Sequence, residues 1–496
     1  MEEKYLYGAA VQGIQDFIFR TNKLKEIAGA SELVEEICTE LFKKNVDGYK
    51  EYDKETDTGS VISAAGNIKY IFATREACEK IVRVFPKIVS EFAPGITISQ
   101  AVIKLDADKN FANQVDTLEA MLHAQRNKPM RSLTLGMMGI ERSRQSGQPV
   151  GGDKEHSDEA TCKKIEKCDE KRQILCEKAF GHSVADRSFA HDFEDLTYKN
   201  DWIAVIHADG NGMGKIVQKI GKDAEKFSKF SKKIAEATET AAQKAYAYIA
   251  ENKSWKEVIP IRPIILGGDD LTVVCRADIA IKYVNKYLEE FEKQTHDKLA
   301  DSLREVSMDR LTACAGIAFI KSSYPFYYGY HLAEELCSKA KKDSNREASC
   351  LMFHKVQDSF TEEYKEIVKR ELTPQENISF QFGPYYLSEH NNRWTIDNLQ
   401  QYSNALEGED GNKIKSHLRK WMSLLHTNTE AALQYYNRMI SIMSNTDQTT
   451  VRMITTDKAE KRSGEKDKYC YPTYDVLAVH TINTQDTKNR KKQKES

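Results

Sequence analysis

The sequence predicts an α+β fold: two ferredoxin-like (βαββαβ) domains joined by a small irregular and helical region, then an α-helical C-terminal domain. Three observations predict it. Apolar strand segments and amphipathic helical segments follow one another in the same order over residues 5–125 and again over 199–360. In each half the pattern centres on an apolar hairpin with a turn of small or acidic residues. From about residue 375 onward, apolar residues recur at helical spacing. The expected domains are 1–125, 126–198, 199–360 and 361–496.

In the first unit, the strand YLYGAAV (5–11) leads into one long helix over FIFRTNKLKEIAGASELVEEICTELFKKN (17–45). GSVISAAGNIKYIFAT (59–74) reads as a hairpin turning at Ala64–Asn67, REACEKIVRVFPKIVSEFA (75–93) as a helix, and ITISQAVIKL (96–105) as the closing strand. Residues 126–198 are polar and irregular, with RSRQSGQPVGGDKEHSDEAT (142–161) a loop. The pattern then returns: strand WIAVIHAD (202–209), a long helix over 223–251, hairpin IRPIILGGDDLTVVC (261–275), a helix over 278–295 and strand LTACAGIAFI (311–320). A further helix (327–342) and strand (348–356) complete the second unit. Helical spacing marks 394–407, 412–426 and 428–444, whereas TTDKAEKRSGEKDK (455–468) reads as mobile and the tail DTKNRKKQKES (486–496) as disordered.

Composition narrows the function classes. Hydrophobic residues make up 40% and charged residues 30% of the 496, as in water-soluble globular chains. The formal net charge of −2 gives no global case for nucleic-acid binding, which would rest on local patches or partner subunits. No apolar run reaches the roughly 20 residues of a membrane span, and the N-terminus lacks the basic and apolar regions of a signal peptide. Ten scattered cysteines, several in apolar segments, fit buried thiols in a reducing cytoplasm.

The acidic residues carry the chemistry. Asp269 and Asp270 sit side by side on the double-glycine turn of an apolar hairpin, where like charges repel unless a cation lies between them. In a βαββαβ unit the first strand is antiparallel to the third, so the end of IHADGNGMGK brings Asp209 to that same hairpin turn. Three converging carboxylates beside a small-residue loop suit two Mg²⁺ or Mn²⁺ ions, with the Gly210 backbone at the edge of the set. Gly210, Asn211, Gly212 and Gly214 open the next helix, and Gly267 and Gly268 line the hairpin; glycines there let the backbone approach a nucleotide triphosphate. Lys341, in LCSKAKKDSN, is placed to meet the triphosphate, and His207 points to the same side as Asp209. Taken singly, GNGMG and GGDD are weak signals; in this order, inside this secondary structure, they specify a metal–nucleotide site. Such a site supports attack of a nucleotide 3′-hydroxyl on an α-phosphate with release of pyrophosphate.

These residues resemble the palm of nucleotidyl cyclases and polymerases. HADGNGMGK with LGGDDL, then AGIAFIKSSYPFYYGYHLAEELCSKAKK, and the N-terminal VQGIQDFIFRTNKLKEIAGAS narrow the resemblance to the large double-palm subunit of type III CRISPR–Cas effectors, the Cas-ten family. The likeness spans residues 5–360. It implies synthesis of cyclic oligoadenylates from ATP as an antiviral signal, with Asp209, Asp269 and Asp270 as metal ligands. It also implies partner effector subunits with guide and target RNA, and a first palm that seats a second ATP without holding metal. Accordingly the first hairpin turn, SAAGN, has no carboxylate. Three departures stand out. The first palm begins at residue 5 with no HD nuclease segment before it, and His191-Asp192 lies between the palms without a ligand set. The inter-palm zinc module of the family has paired cysteines; here Arg142 and Gln145 stand where a pair belongs, and Cys162, Cys168 and Cys176 are irregularly spaced, which argues against zinc. The compact size also fits a stand-alone cyclase, homo-oligomeric or making a cyclic dinucleotide, and a scaffold without turnover is the remaining alternative.

Overall fold

The structure, a computed structural model, describes residues 3–46, 59–64, 66–128, 139–151, 156–181, 188–197, 202–220, 224–251, 258–358, 363–455 and 469–495. Alternating residues of the N-terminal strands face two different helical layers, which requires a sheet covered on both sides. Strands β1 (Tyr5–Gln12), β2 (Ser60–Ala64), β3 (Asn67–Phe72) and β4 (Thr97–Lys104) form an antiparallel sheet ordered β2-β3-β1-β4. One face packs against helices α1 (Leu24–Glu36) and α2 (Arg75–Phe92), through Tyr7, Ile27 and Phe85. Thr74 starts α2 by accepting a hydrogen bond from the Ala77 N–H at 3.3 Å. The other face meets α3 (Phe111–Arg126), whose Leu118 reaches Gly8 so closely that a Cβ there would lie 2.7 Å from it.

The single helix expected over 17–45 is broken. A short helix ends at Phe19, and α1 begins at Leu24 after a turn in which Thr21 Oγ1 accepts from the Lys23 N–H. The break has a long-range cause: Asn22 Oδ1 accepts from the Phe326 N–H at 2.7 Å and so serves the start of a helix in the second unit. The inter-unit region contributes α4 (Glu159–Asp169) and α5 (Ile174–Phe180). Helix α4 crosses α1 at Gly29, where an added Cβ would meet the Lys164 carbonyl oxygen at 1.7 Å.

The second unit is a six-stranded sheet of β5 (Trp202–Gly210), β6 (Ile261–Gly267), β7 (Asp270–Arg276), β8 (Ala313–Lys321), β9 (Cys350–Lys355) and β10 (Tyr385–Tyr386), ordered β10-β9-β8-β5-β7-β6. β5 lies antiparallel between β7 and β8, as the βαββαβ pattern requires, and β9 joins β8 in parallel. Ala204, Ile206 and Ala208 face α7 (Ala224–Glu251), α8 (Ala277–Arg304) and the C-terminal helices in one core. Ile203 and Val205 face α9 (Phe326–Asp343) and share a core with the N-terminal unit. Thus the two α+β units are packed together through one sheet face, and His207 and Asp209 point into that side.

The C-terminal region is helical: α10 (Ile396–Asn404), α11 (Gly408–Thr427), α12 (Thr429–Ile442), α13 (Asn445–Thr455) and α14 (Thr473–Glu495). The tail expected to be disordered continues α14 to Glu495; its Lys, Arg and Gln residues have high helix propensity, and the helix is nucleated upstream by the buried Val476 and Val479. The segment expected to be mobile, 455–468, falls almost wholly outside the described residues.

Helix α14 is tied to the sheet edge by a buried hydrogen bond, Tyr385 Oη donating to Asp475 Oδ2 at 2.6 Å. Burial pushes the Asp475 carboxyl up to about 7, against the opposing pull of Tyr385. A carboxyl raised in the folded state destabilises it as pH climbs from the unfolded value of 3.8 to about 7. At about 1.4 kcal/mol per unit this one group removes roughly 4 kcal/mol between pH 4 and 8. Asp475→Asn keeps an acceptor for Tyr385 and is expected to flatten the fall of melting temperature across that range. An unchanged pH profile in the variant would refute the assignment.

Candidate active site

The antiparallel register of β5 and β7 sets Ala208 opposite Leu271, so the next step outward carries Asp209 to Asp270. β6 and β7 are joined by a two-residue turn, Gly268-Asp269, closed by the Gly267–Asp270 pair. Gly268 has φ 64°, the left-handed region in which glycine bears no Cβ penalty. Thr238 of α7 fixes this turn, its Oγ1 donating to the Gly268 carbonyl at 2.8 Å. The result brings one oxygen each of Asp209, Asp269 and Asp270 within 4.8 Å of one another. Among the described residues this is the group of His, Cys, Asp and Glu side chains close enough to hold a metal ion.

The electrostatics follow from that crowding. Burial, then the charge of Asp209, pushes the Asp269 carboxyl up to about 7. Asp270 is pushed well above its ordinary value by burial and by both neighbouring carboxylates. Three half-buried acids facing one another are unfavourable without a cation between them. The residues fit a hard divalent ion on two further grounds: the donors are all oxygen, and a Cβ at Gly210 would fill the space beside Asp269, 2.7 Å from its Oδ2.

Lys341 of α9 supplies a positive charge at this point. Its Nζ donates to Asp209 Oδ2 and, at 2.7 Å, to the Gly210 carbonyl. The ammonium therefore occupies the edge of the carboxylate set rather than solvent. Asn211 locks the following loop: its backbone N–H donates to the Thr312 carbonyl at 2.8 Å and its side chain to Thr312 Oγ1 at 2.9 Å. Asn211 Oδ1 is buried without a hydrogen-bond partner. Gly212 has φ 69°, and a Cβ at Gly212 or Gly214 would meet open space, so this loop and helix α6 (Met213–Ile220) present bare backbone beside the acids. Sequence-predicted Asp209, Gly210, Asn211, Gly267, Gly268, Asp269, Asp270 and Lys341 thus share one sheet end, with Gly212 and Gly214 flanking it.

His207 stands apart from the acids. It is hydrogen-bonded through Nδ1 to Thr272 Oγ1 at 3.1 Å, and burial lowers its pKa. Residues from the other unit were not legible as neighbours: Gln15 Nε2 donates to Glu334 Oε1 at 3.1 Å on α9, and Tyr330 Oη donates to the same oxygen at 3.1 Å. Thr238 was also missed; its one signal is a buried threonine within the alanine-rich face of a long helix. The inter-unit residues serve packing. Arg142 donates to the Gly147 carbonyl, Gln145 bridges Thr21 and Glu26, and Cys162, Cys168 and Cys176 are buried and free. His191 is exposed, and the Asp192 N–H donates to Asp195 in a local turn.

Residues 202–350 match the family described as Cas10/Cmr2, second palm domain. Over this stretch the chain is similar to a Cas10/Cmr2 second palm. The match covers β5 to the start of β9 and includes all three aspartates and Lys341. No curated protein matches the chain in sequence. Solved structures resemble its whole length. A Csm1–Csm4 cassette in complex with cA4 superposes with TM-score 0.61 at 14% identity, covering 98% of this chain and 70% of that one. A cassette in complex with AMPPNP gives TM-score 0.58 at 16% identity over the same shares. The Csm1–Csm4 subcomplex of a type III-A CRISPR-Csm interference complex gives 0.54 at 15%, again over 98% and 70%. The double-palm fold with an added helical region is therefore shared, and the second palm is the part whose sequence matches. No helix among the described residues is long and apolar enough to cross a membrane.

Proposed function

We propose that this chain is a divalent-metal-dependent nucleotidyltransferase that converts ATP into cyclic oligoadenylates. The observation that carries the reading is the carboxylate set: Asp209, Asp269 and Asp270 converge beside a glycine without which the space would be filled. These three side chains, with the Gly210 carbonyl at their edge, would hold the ions. Two bound Mg²⁺ or Mn²⁺ ions would lower the pKa of the attacking 3′-hydroxyl and neutralise the departing pyrophosphate. The chain's own part is positioning. The bare backbone at Gly212, Gly214, Gly267 and Gly268 admits the triphosphate. Lys341 exchanges its contacts with Asp209 and the Gly210 carbonyl for phosphate oxygens.

ATP as substrate is supported by the ligands of the similar cassettes, which include AMPPNP, one ATP and cA4. The first palm, with no carboxylate at Ala64, Gly66 or Asn67 of its turn, would seat the second ATP. The similar structures are complexes with Csm4, which supports assembly with other type III effector subunits and, through them, guide and target RNA. Paired half-buried carboxylates argue against a scaffold without turnover, since a purely structural turn gains nothing from them. Incubation of the purified protein with each NTP and Mg²⁺ or Mn²⁺, with and without RNA and partner subunits, followed by mass spectrometry, tests the reading. Cyclic oligoadenylates from ATP are expected; their absence under every condition, with metal and ATP bound, would overturn it.

A further inference from the structure

A second charged cluster lies at the opposite end of the same sheet. Trp202 begins β5, Lys321 ends β8 and Lys355 ends β9. The register places Lys321 opposite Trp202 and Phe319 opposite Lys355, so all of these side chains leave one face. Lys355 Nζ lies 4.3 Å from the centre of the Trp202 ring. Helix α11 covers this face through Ile414 and Leu418, and Arg419 follows Leu418 at its edge. Lys355 is 9% exposed, while Lys321 and Arg419 are open to solvent.

Among the described residues no carboxylate is paired with any of these three cations. Burial, then the charges of Arg419 and Lys321, hold the Lys355 ammonium down at about 8. Among the described residues its attractive contact is the indole face, worth about 0.5–2 kcal/mol. A largely buried ammonium beside two like charges is unfavourable until an anion completes the set. The arrangement mirrors, with opposite sign, the crowding of the three aspartates.

We propose that Lys321, Lys355 and Arg419, around Trp202, form a phosphate-binding site separate from the carboxylate site. Trp202 and Asp209 stand at the two ends of β5, about 23 Å apart at strand rise, so a phosphate held here does not reach the carboxylates. Lys321 lies two residues beyond Phe319, the register partner of Lys355, so the two strand-end lysines are offset on a diagonal by about 8 Å, and Arg419 extends the set from α11; this span is wider than one phosphate. Consecutive phosphates of a single-stranded RNA fit that width better than a free nucleotide does.

The test uses the full-length protein and three probes: a fluorescent single-stranded oligoribonucleotide, ATP and inorganic phosphate. Binding is followed by anisotropy for the first and by calorimetry for the others, over a series of salt concentrations. Lys321→Glu with Arg419→Glu changes two exposed side chains; Lys355→Met keeps the buried stem. Each is expected to weaken RNA binding about tenfold or more, and all three sites together contribute about 2 to the slope of log affinity against log salt. Loss confined to ATP and phosphate would assign the site to free nucleotides. Unchanged affinity for every probe in folded variants, or no binding by the wild type, would overturn the site. Asp269→Asn with Asp270→Asn should bind the oligoribonucleotide as wild type does, which separates failure of this site from failure of the catalytic reading.

Discussion

Asp269→Asn with Asp270→Asn is expected to abolish product formation, by about a thousandfold or more, equivalent to roughly 4 kcal/mol of barrier. The substitution keeps the side-chain shape and removes the charge that would hold divalent ions. It also removes repulsion, since burial and, after it, the neighbouring carboxylates push each of these half-buried acids upward. The metal-free variant should therefore melt no lower than the metal-free wild type. Mg²⁺ or Mn²⁺ at about a hundred times its dissociation constant should stabilise the wild type by about 2.7 kcal/mol and leave the variant unchanged. Melting curves with and without metal, beside mass spectrometry of products, check both parts. Retained turnover would place the chemistry elsewhere. Lost turnover with an intact metal-induced shift would show that the ions bind at other ligands.

The carboxylate site was legible because its parts are local and its assembly is forced by topology. The turn GGDD and the strand end HADG each announce themselves, and an antiparallel first and third strand can place them only together. What escaped the sequence depends on partners far along the chain. Asn22 interrupts a helix in order to cap Phe326, 304 residues away. Gln15 reaches Glu334 and Tyr330 across the two units. Lys341 was assigned to a triphosphate from its position on the last helix, but its engagement of Asp209 and the Gly210 carbonyl is set by how α9 lies on the sheet. Hydrophobic periodicity gives a helix its buried face and says nothing of its axial shift, and that shift decides which carboxylate a lysine meets.

That seating rests on Gly316, and Gly316→Ala is expected to be the most damaging single-methyl change near the site. Gly316 lies in the middle of β8, between His207 on β5 and Met352 on β9, and faces α9. A Cβ there would stand 2.0 Å from the Ala333 carbonyl oxygen and 2.5 Å from the Cys337 N–H nitrogen. Both are helix backbone and have no rotamer by which to withdraw, so α9 must move away from the sheet. Overpacking of this kind costs about 3 kcal/mol. The same displacement carries Lys341 from Asp209 and pulls Tyr330 and Glu334 from Gln15, so turnover should fall beyond what the lost stability explains. Gly214→Ala is the contrasting case for stability alone: its Cβ meets open space, and alanine there should gain up to about 1 kcal/mol of helix stability. Should Gly214→Ala fold well yet require much more ATP, that glycine is kept for nucleotide approach. A Gly316→Ala protein that melts with the wild type and turns over normally would show that α9 does not depend on this contact to hold Lys341 in place.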